Sequence, residues 1–236
     1  MCVVYIMDII KTTAIFSLSV QIITALIDFY VLMLPTSMET MLLKQLLTME
    51  FIVQMIEGAF YVWLTIFITS TASGITRKRY WDWMISTPIM LLTLSSYLIY
   101  LRLKYKQGSD TIPSFFELAD ANYATFFKIV ILNALMLIMG YLGEIKVMNV
   151  VPSVLAGFVP FFAMFYLIYE NYAKHSTTGG MTLFIYFFIT WAMYGVAALL
   201  SYKWKNVFYN LLDLVAKNFF GIFLAYVIIQ TRAGAM

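Results

Sequence analysis

The chain has 236 residues, of which 63% are hydrophobic and only 11% charged, with a mean hydropathy of +0.87. Soluble domains average about 45–50% apolar and about 25% charged residues, so water is not this chain's main solvent. The net charge is +3, with Lys and Arg scattered or set at segment ends; no basic stripe of the kind nucleic acid requires is present, which excludes that partner.

The N-terminal apolar stretch has its first lysine at Lys11 and no small-residue cleavage pattern after it, so it is expected to belong to the mature protein. Runs long enough to cross a ~30 Å hydrocarbon core at about 1.5 Å per residue predict seven helices, over residues 9–34, 42–69, 80–101, 123–143, 150–169, 181–200 and 207–229. The breaks between them carry loop chemistry: Pro35-Thr36-Ser37, then residues 70–78 with Gly74, 102–113, 144–149, 175–180 and 202–206. Because each break is short, consecutive helices are expected to pack antiparallel as an all-α bundle of seven transmembrane helices, one domain over residues 1–236, with the lipid bilayer as its partner. Loop charge does not orient it. Arg102, Lys104, Lys106, Lys174 and Arg232 collect on one side, and Lys11, Arg77, Lys78, Lys146, Lys203 and Lys205 on the other. Homo-oligomerisation is left open. The lone Cys2 has no neighbouring ligands, and His175 sits in a polar stretch as a solvated loop residue, so no metal site is read.

Ionisable side chains at bilayer depth cost several kcal/mol and are functional candidates. In the second helix Glu50 and Glu57 are seven residues apart, which sets them on nearly one face about 10 Å apart along the axis, with Gln54 roughly on that face. The third helix carries Asp82 three residues after Arg79 and beside Trp83. The seventh carries Lys217 near its middle, with Asp213 one turn earlier on the same face. One buried lysine with two buried carboxylates is what a protonated imine on a lysine needs, since the cation must be paired and Arg79 brings the cluster close to neutrality. An ion-pair network that only fixes helix register is the alternative.

The run Arg79-Tyr80-Trp81-Asp82-Trp83-Met84-Ile85-Ser86-Thr87-Pro88 resembles the third-helix signature of microbial rhodopsins. Leu212-Asp213-Leu214-Val215-Ala216-Lys217, followed by Phe220-Gly221, resembles their retinal-lysine helix; Trp191 and Tyr194 match the aromatic pair of the sixth helix, and Met136 with Gly140 the fourth-helix pocket. The resemblance is spread over most of the chain. It implies all-trans retinal held covalently on Lys217 as a protonated Schiff base, Asp82 as main counterion and first proton acceptor, Asp213 as second counterion, and Arg79 as the cation below them. Trp83, Ser86, Thr87, Met90, Met136, Gly140, Trp191 and Tyr194 become walls of the retinal pocket. It also implies a multi-pass membrane protein with its N-terminus extracellular and its C-terminus cytoplasmic.

Several positions depart from the proton-pump pattern. Ser86 replaces the usual Thr, keeping a hydroxyl. Thr93, eleven residues after Asp82, stands where efficient pumps carry the acid that reprotonates the Schiff base, so reprotonation is expected to be slow unless another acid substitutes. Lys205 falls at a proton-release glutamate, and residues 201–206 hold no acid. Gly195 replaces a frequent proline and Gly157 a ring-packing tryptophan, which implies a looser pocket. The acidic face of the second helix resembles the glutamate-lined helix of channelrhodopsins, and Glu-x-x-x-Gln-x-x-Glu-x-x-Phe-Tyr resembles rhodopsins of giant algal viruses.

A light-gated cation channel is therefore the first expectation, with cations passing Glu57, Gln54 and Glu50 and with Ser17 and Asn210 facing the same path. A weak outward proton pump, with Asp82 as acceptor and Glu57 or Glu50 as relocated donor, is the second; a photosensor acting through a partner is the third. None of these is an enzyme. For Glu50 and Glu57 the plain structural alternative is that both are protonated and join neighbouring helices.

Overall fold

The structure is a computed structural model that describes residues 2–67, 74–109 and 111–234, with side chains from residue 9 onward. Its helices are α1 (Cys2–Met33), α2 (Met41–Phe67), α3 (Ile75–Leu101), a short α4 (Phe115–Ala121), α5 (Tyr123–Glu144), α6 (Val150–Asn171), α7 (Thr178–Ala198), α8 (Tyr202–Asp213) and α9 (Phe219–Arg232). No strand occurs among the described residues. Seven spans are long and apolar enough to cross a membrane, the last of them Tyr202–Arg232, in which α8 and α9 run on through a π-helical turn at Leu214–Asn218. The fold is the all-α seven-helix bundle expected, and its two ends lie on opposite faces, called here the N-terminal and C-terminal faces.

The helix limits differ from the sequence reading where charge was taken as a break. The third helix begins at Ile75, so Arg77 and Lys78 are helical; Lys78 lays its ammonium 4.2 Å over the Trp63 ring and keeps its charge at the interface. At the other end the basic run Arg102–Lys106 continues α3 as a π turn, where cations oppose the negative end of the helix dipole. Residues 68–73, which include the first four of the loop read at 70–78, lie outside the described residues, as does the side chain of Cys2. The sixth helix starts at Thr178 because Thr177 caps it, its hydroxyl accepting the Gly180 N–H at 3.2 Å.

Helix α4 was not anticipated, although Ser-x-x-Glu announces it. Ser114 caps the Glu117 N–H, and Glu117 Oε2 accepts the Ser114 N–H at 2.7 Å. Those bonds hold the exposed Glu117 carboxyl below its ordinary range.

Helix α3 is the most enclosed span, packed against α2, α5 and α7, while α1 lies against α2 and the α8–α9 span. Large side chains such as Phe16, Leu26, Trp81, Val159 and Tyr166 are more than half exposed, which a bundle tolerates when its solvent is lipid. Because lipid gives helices little hydrophobic reason to associate, close packing depends on small residues. Gly143 and Gly157 supply it between α5 and α6: a Cβ at Gly143 would strike the Ser153 side chain, and one at Gly157 would touch the Met136 carbonyl at 3.5 Å.

Candidate functional site

The π turn between α8 and α9 carries Lys217 into the bundle centre, where its side chain is 2% exposed. Its Nζ donates to Asp82 Oδ2 at 2.6 Å, and Asp213 Oδ1 and Glu57 Oε1 both stand 3.9 Å away. Three carboxylates from three spans thus surround one ammonium. A buried ammonium without such partners would be too costly to keep charged.

Each carboxylate has its own setting. Asp213 is the most fixed: Oδ2 accepts from the Tyr61 hydroxyl at 2.7 Å and from Arg79 Nη1 at 3.0 Å, and Oδ1 accepts from the Tyr194 hydroxyl at 2.8 Å. Asp82 keeps Oδ1 without a partner among the described residues, and neither oxygen of Glu57 accepts a hydrogen bond. Arg79 pairs with Asp213 and not with Asp82; its other arm donates to Asn210 Oδ1, and its plane lies 5.1 Å from the Phe60 ring.

On the side of α3, α5, α6 and α7, a cavity with an empty volume of about 800 Å³ ends at Lys217. Trp83, Thr87, Met90, Met136, Gly140, Trp191 and Tyr194, all read from the sequence, line it, joined by Tyr80, Phe158, Phe161 and Tyr209. Trp83 is clasped edge-on by Tyr194 and Tyr209, with ring centroids at 5.6 and 5.0 Å. Ser86 is the exception: it is buried outside the cavity wall and donates to the Asp82 carbonyl at 2.9 Å, because that helical turn points it toward its own backbone. Gly157 and Gly195 both line the cavity, and a Cβ at Gly195 would come within 2.6 Å of the Phe158 ring. A narrow ring-walled slot with a single amine at its end suits a flat, apolar aldehyde, so these residues fit retinal on Lys217.

On the other side of Lys217, α1, α2 and the last span present polar stripes to one another. Ser17, Gln21, Thr24 and Asp28 lie on one face of α1; Glu50, Gln54, Glu57 and Tyr61 lie on one face of α2; Asn206, Asn210, Asp213 and Asn218 belong to the last span. All twelve are buried or nearly so. Ser17 donates to the Asn210 carbonyl at 3.3 Å and Asn210 Nδ2 reaches Thr13 Oγ1 at 2.8 Å, so both lie in this seam on the Arg79 side of Lys217. Gln54 donates to Asp28 Oδ2 at 2.7 Å. Glu50 faces the Thr93 hydroxyl, which also reaches the Ile89 carbonyl at 3.0 Å. Lys205 pairs with Glu144 at 2.6 Å, tying α8 to the end of α5.

Sequence reasoning missed Tyr61, Asp28, Gln21 and Asn218. Tyr61 follows Glu57 by four residues and so continues the 50–54–57 spacing, and Ser17, Gln21, Thr24 and Asp28 repeat the same 4-3-4 pattern. That periodicity was the available signal. Glu57 also stands nearer the amine than a pore-lining role alone requires, as close to Nζ as Asp213.

A family model described as bacteriorhodopsin-like protein matches residues 12–231. Green-light absorbing proteorhodopsin from Gamma-proteobacterium EBAC31A08 is 26% identical over 184 residues, covering 70% of this chain and 66% of that protein, slightly under two thirds of its length. The crystal structure of viral rhodopsin OLPVRII superposes with a TM-score of 0.80 at 27% identity, over 94% of this chain and 98% of that one. Exiguobacterium sibiricum rhodopsin, at 18% identity, shares the fold with a TM-score of 0.72 over 96% of this chain and 98% of its own. With the family model spanning nearly the whole chain, this protein belongs to the bacteriorhodopsin-like family, the microbial rhodopsins of the membrane.

Proposed function

We propose that this rhodopsin is a light-gated cation channel with retinal on Lys217, its N-terminus outside the cell and its C-terminus in the cytoplasm. Retinal linked to Lys217 supplies the absorption of visible light and the change of shape that follows. The chain's residues supply the rest. Asp82, at 2.6 Å, holds the proton on Lys217 Nζ and is placed to take it. Asp213, with three donors on its two oxygens, is held fixed and keeps Arg79 in place. Arg79 sets a fixed positive charge across the Asn210 end of the seam, which bars cations until the Lys217 cluster rearranges.

The observation that carries this reading is the buried polar seam of α1, α2 and the last span. Among its members Gln21, Thr24, Glu57 and Asn218 have no hydrogen-bond partner among the described residues. Each polar group left bare in a dry core costs about 1–3 kcal/mol, so a fold retains such a row where it lines a path that hydrates. Acids along such a path favour cations over anions.

A second reading, a weak outward proton pump, is favoured by one specific contact: Glu50 faces Thr93, which puts an acid from α2 beside the position where pumps carry their donor on α3. Photocurrents recorded under voltage clamp with a sodium gradient separate the two. A channel's current reverses near the sodium equilibrium potential; a current of one sign across the whole voltage range sinks the channel and leaves the pump.

A further inference from the structure

Channel and pump alike must restore the proton on Lys217, and neither reading has used Asp28. We infer that Asp28 is the acid that hands this proton to Lys217 Nζ, with Gln54 positioning it and Glu50 refilling it. The inference rests on the reading that the seam joins Lys217 to the C-terminal face.

Asp28 comes from α1 and is fully buried. Its Oδ2 accepts from Gln54 Nε2 at 2.7 Å, while Oδ1 has no partner among the described residues. An N–H donor on one oxygen favours placing the acid proton on the other, so the proton of the neutral acid sits on Oδ1. Gly221 explains how the pair reaches the last span, because a Cβ there would collide with both Gln54 Nε2 and Asp28 Oδ2. Gly221 is four residues beyond Lys217, so the Asp28–Gln54 pair lies about 6 Å along the axis from the lysine's turn. Lys217 Nζ points back toward Asp213, 3.9 Å from its Oδ1, so the proton reaches it from Asp28 over a short chain of water molecules. Glu50 lies one turn beyond Gln54, again about 6 Å farther toward the C-terminal face. The order along the seam is therefore Lys217, Asp28 with Gln54, then Glu50 opposite Thr93.

The proton balance closes without any redox partner. The O–H bond of Asp28 breaks as an N–H bond forms on Lys217 Nζ, the Asp28 carboxylate takes the proton of Glu50, and Glu50 is refilled from the C-terminal face. No three His, Cys, Asp or Glu side chains converge on a metal position among the described residues, which favours protons over a bound metal at this pair.

The test uses the full chain with retinal, reconstituted in lipid nanodiscs. Asp28→Asn is expected to leave the dark spectrum in place and to slow recovery of the protonated nitrogen after a flash by ~10²-fold or more, with azide restoring the rate. Infrared difference spectra are expected to lose a carboxylic C=O band in Asp28→Asn and to shift it in Gln54→Leu, which keeps the acid but removes its N–H donor. Recovery at the wild-type rate, or a slowing that azide does not relieve, overturns the assignment. If Asp28→Asn does not bind retinal, the Gln54→Leu band decides alone: an unshifted band overturns the assignment. Glu50→Gln measured in parallel separates the two levels. Slow recovery in Glu50→Gln alone rejects Asp28 and keeps the donor reading, whereas slow, azide-rescued recovery in Asp28→Asn alone keeps Asp28 and rejects Glu50 as its source.

Discussion

Helices α1 and α6 are about equally apolar in composition, yet over their middle turns they bury different kinds of side chain. Inward from α6 come Val154, Phe161, Phe165 and Ile168; inward from α1 come Ser17, Gln21, Thr24 and Asp28. Lys217 stands between them, with the ring-lined cavity on one side and the polar seam on the other. Hydropathy reports only which surface meets lipid. What a membrane helix does is decided by the narrow stripe it turns inward, and here one half of the bundle is shaped for a flat apolar cofactor and the other for charge.

The sharpest way to break this division is at its junction. Lys217→Ala is expected to abolish visible absorption completely, since no other lysine reaches Asp82 among the described residues; a coloured variant with covalently held retinal removes the junction from the lysine. A smaller effect is expected on the polar side. Asp82→Asn removes the nearest anion, at 2.6 Å, so the cation on Lys217 is stabilised less, absorption moves to the red and the nitrogen loses its proton more readily. Acidifying the wild type through the titration of Asp82 is expected to give the same red shift, and a spectrum that ignores both changes rules out Asp82 as counterion. The smallest effect belongs to the apolar side. Gly195→Ala forces the Phe158 ring to move from a 2.6 Å approach, an overpacking cost of about 1–3 kcal/mol that thermal bleaching measures; unchanged stability means that wall is softer than drawn.

Much of this division was legible in the sequence, for uneven reasons. Lys217, Asp82 and Asp213 stood out because charge inside an apolar run is costly, and the surrounding motifs are long. The cavity walls were readable through the same motifs, apart from Ser86, whose hydroxyl turns to the Asp82 carbonyl one turn earlier. Asp28 went unread because it sits five residues from the end of α1, where a lone carboxylate passes for an interfacial charge. Tyr61 went unread because an aromatic near a helix end passes for a membrane-interface residue, whereas its hydroxyl binds Asp213. The π turn that aims Lys217 has no sequence signal, since its hydrogen-bond shift depends on what α8 and α9 pack against. Glu57 Oε1 stands 3.9 Å from the amine, so Glu57→Gln is expected to shift the dark spectrum as well as the current.

That proximity makes Glu50 the cleaner probe of the claim that the polar seam conducts. The decisive measurement is the photocurrent reversal potential of Glu50→Gln against wild type, with sodium on one side and calcium on the other. A reversal potential displaced by the substitution, with the dark spectrum unchanged, is the result expected of a pore that passes Glu50. An unchanged reversal potential contradicts it; slowed recovery of the Lys217 proton would then make Glu50 a pump-type donor, and unchanged recovery would make it a link between helices.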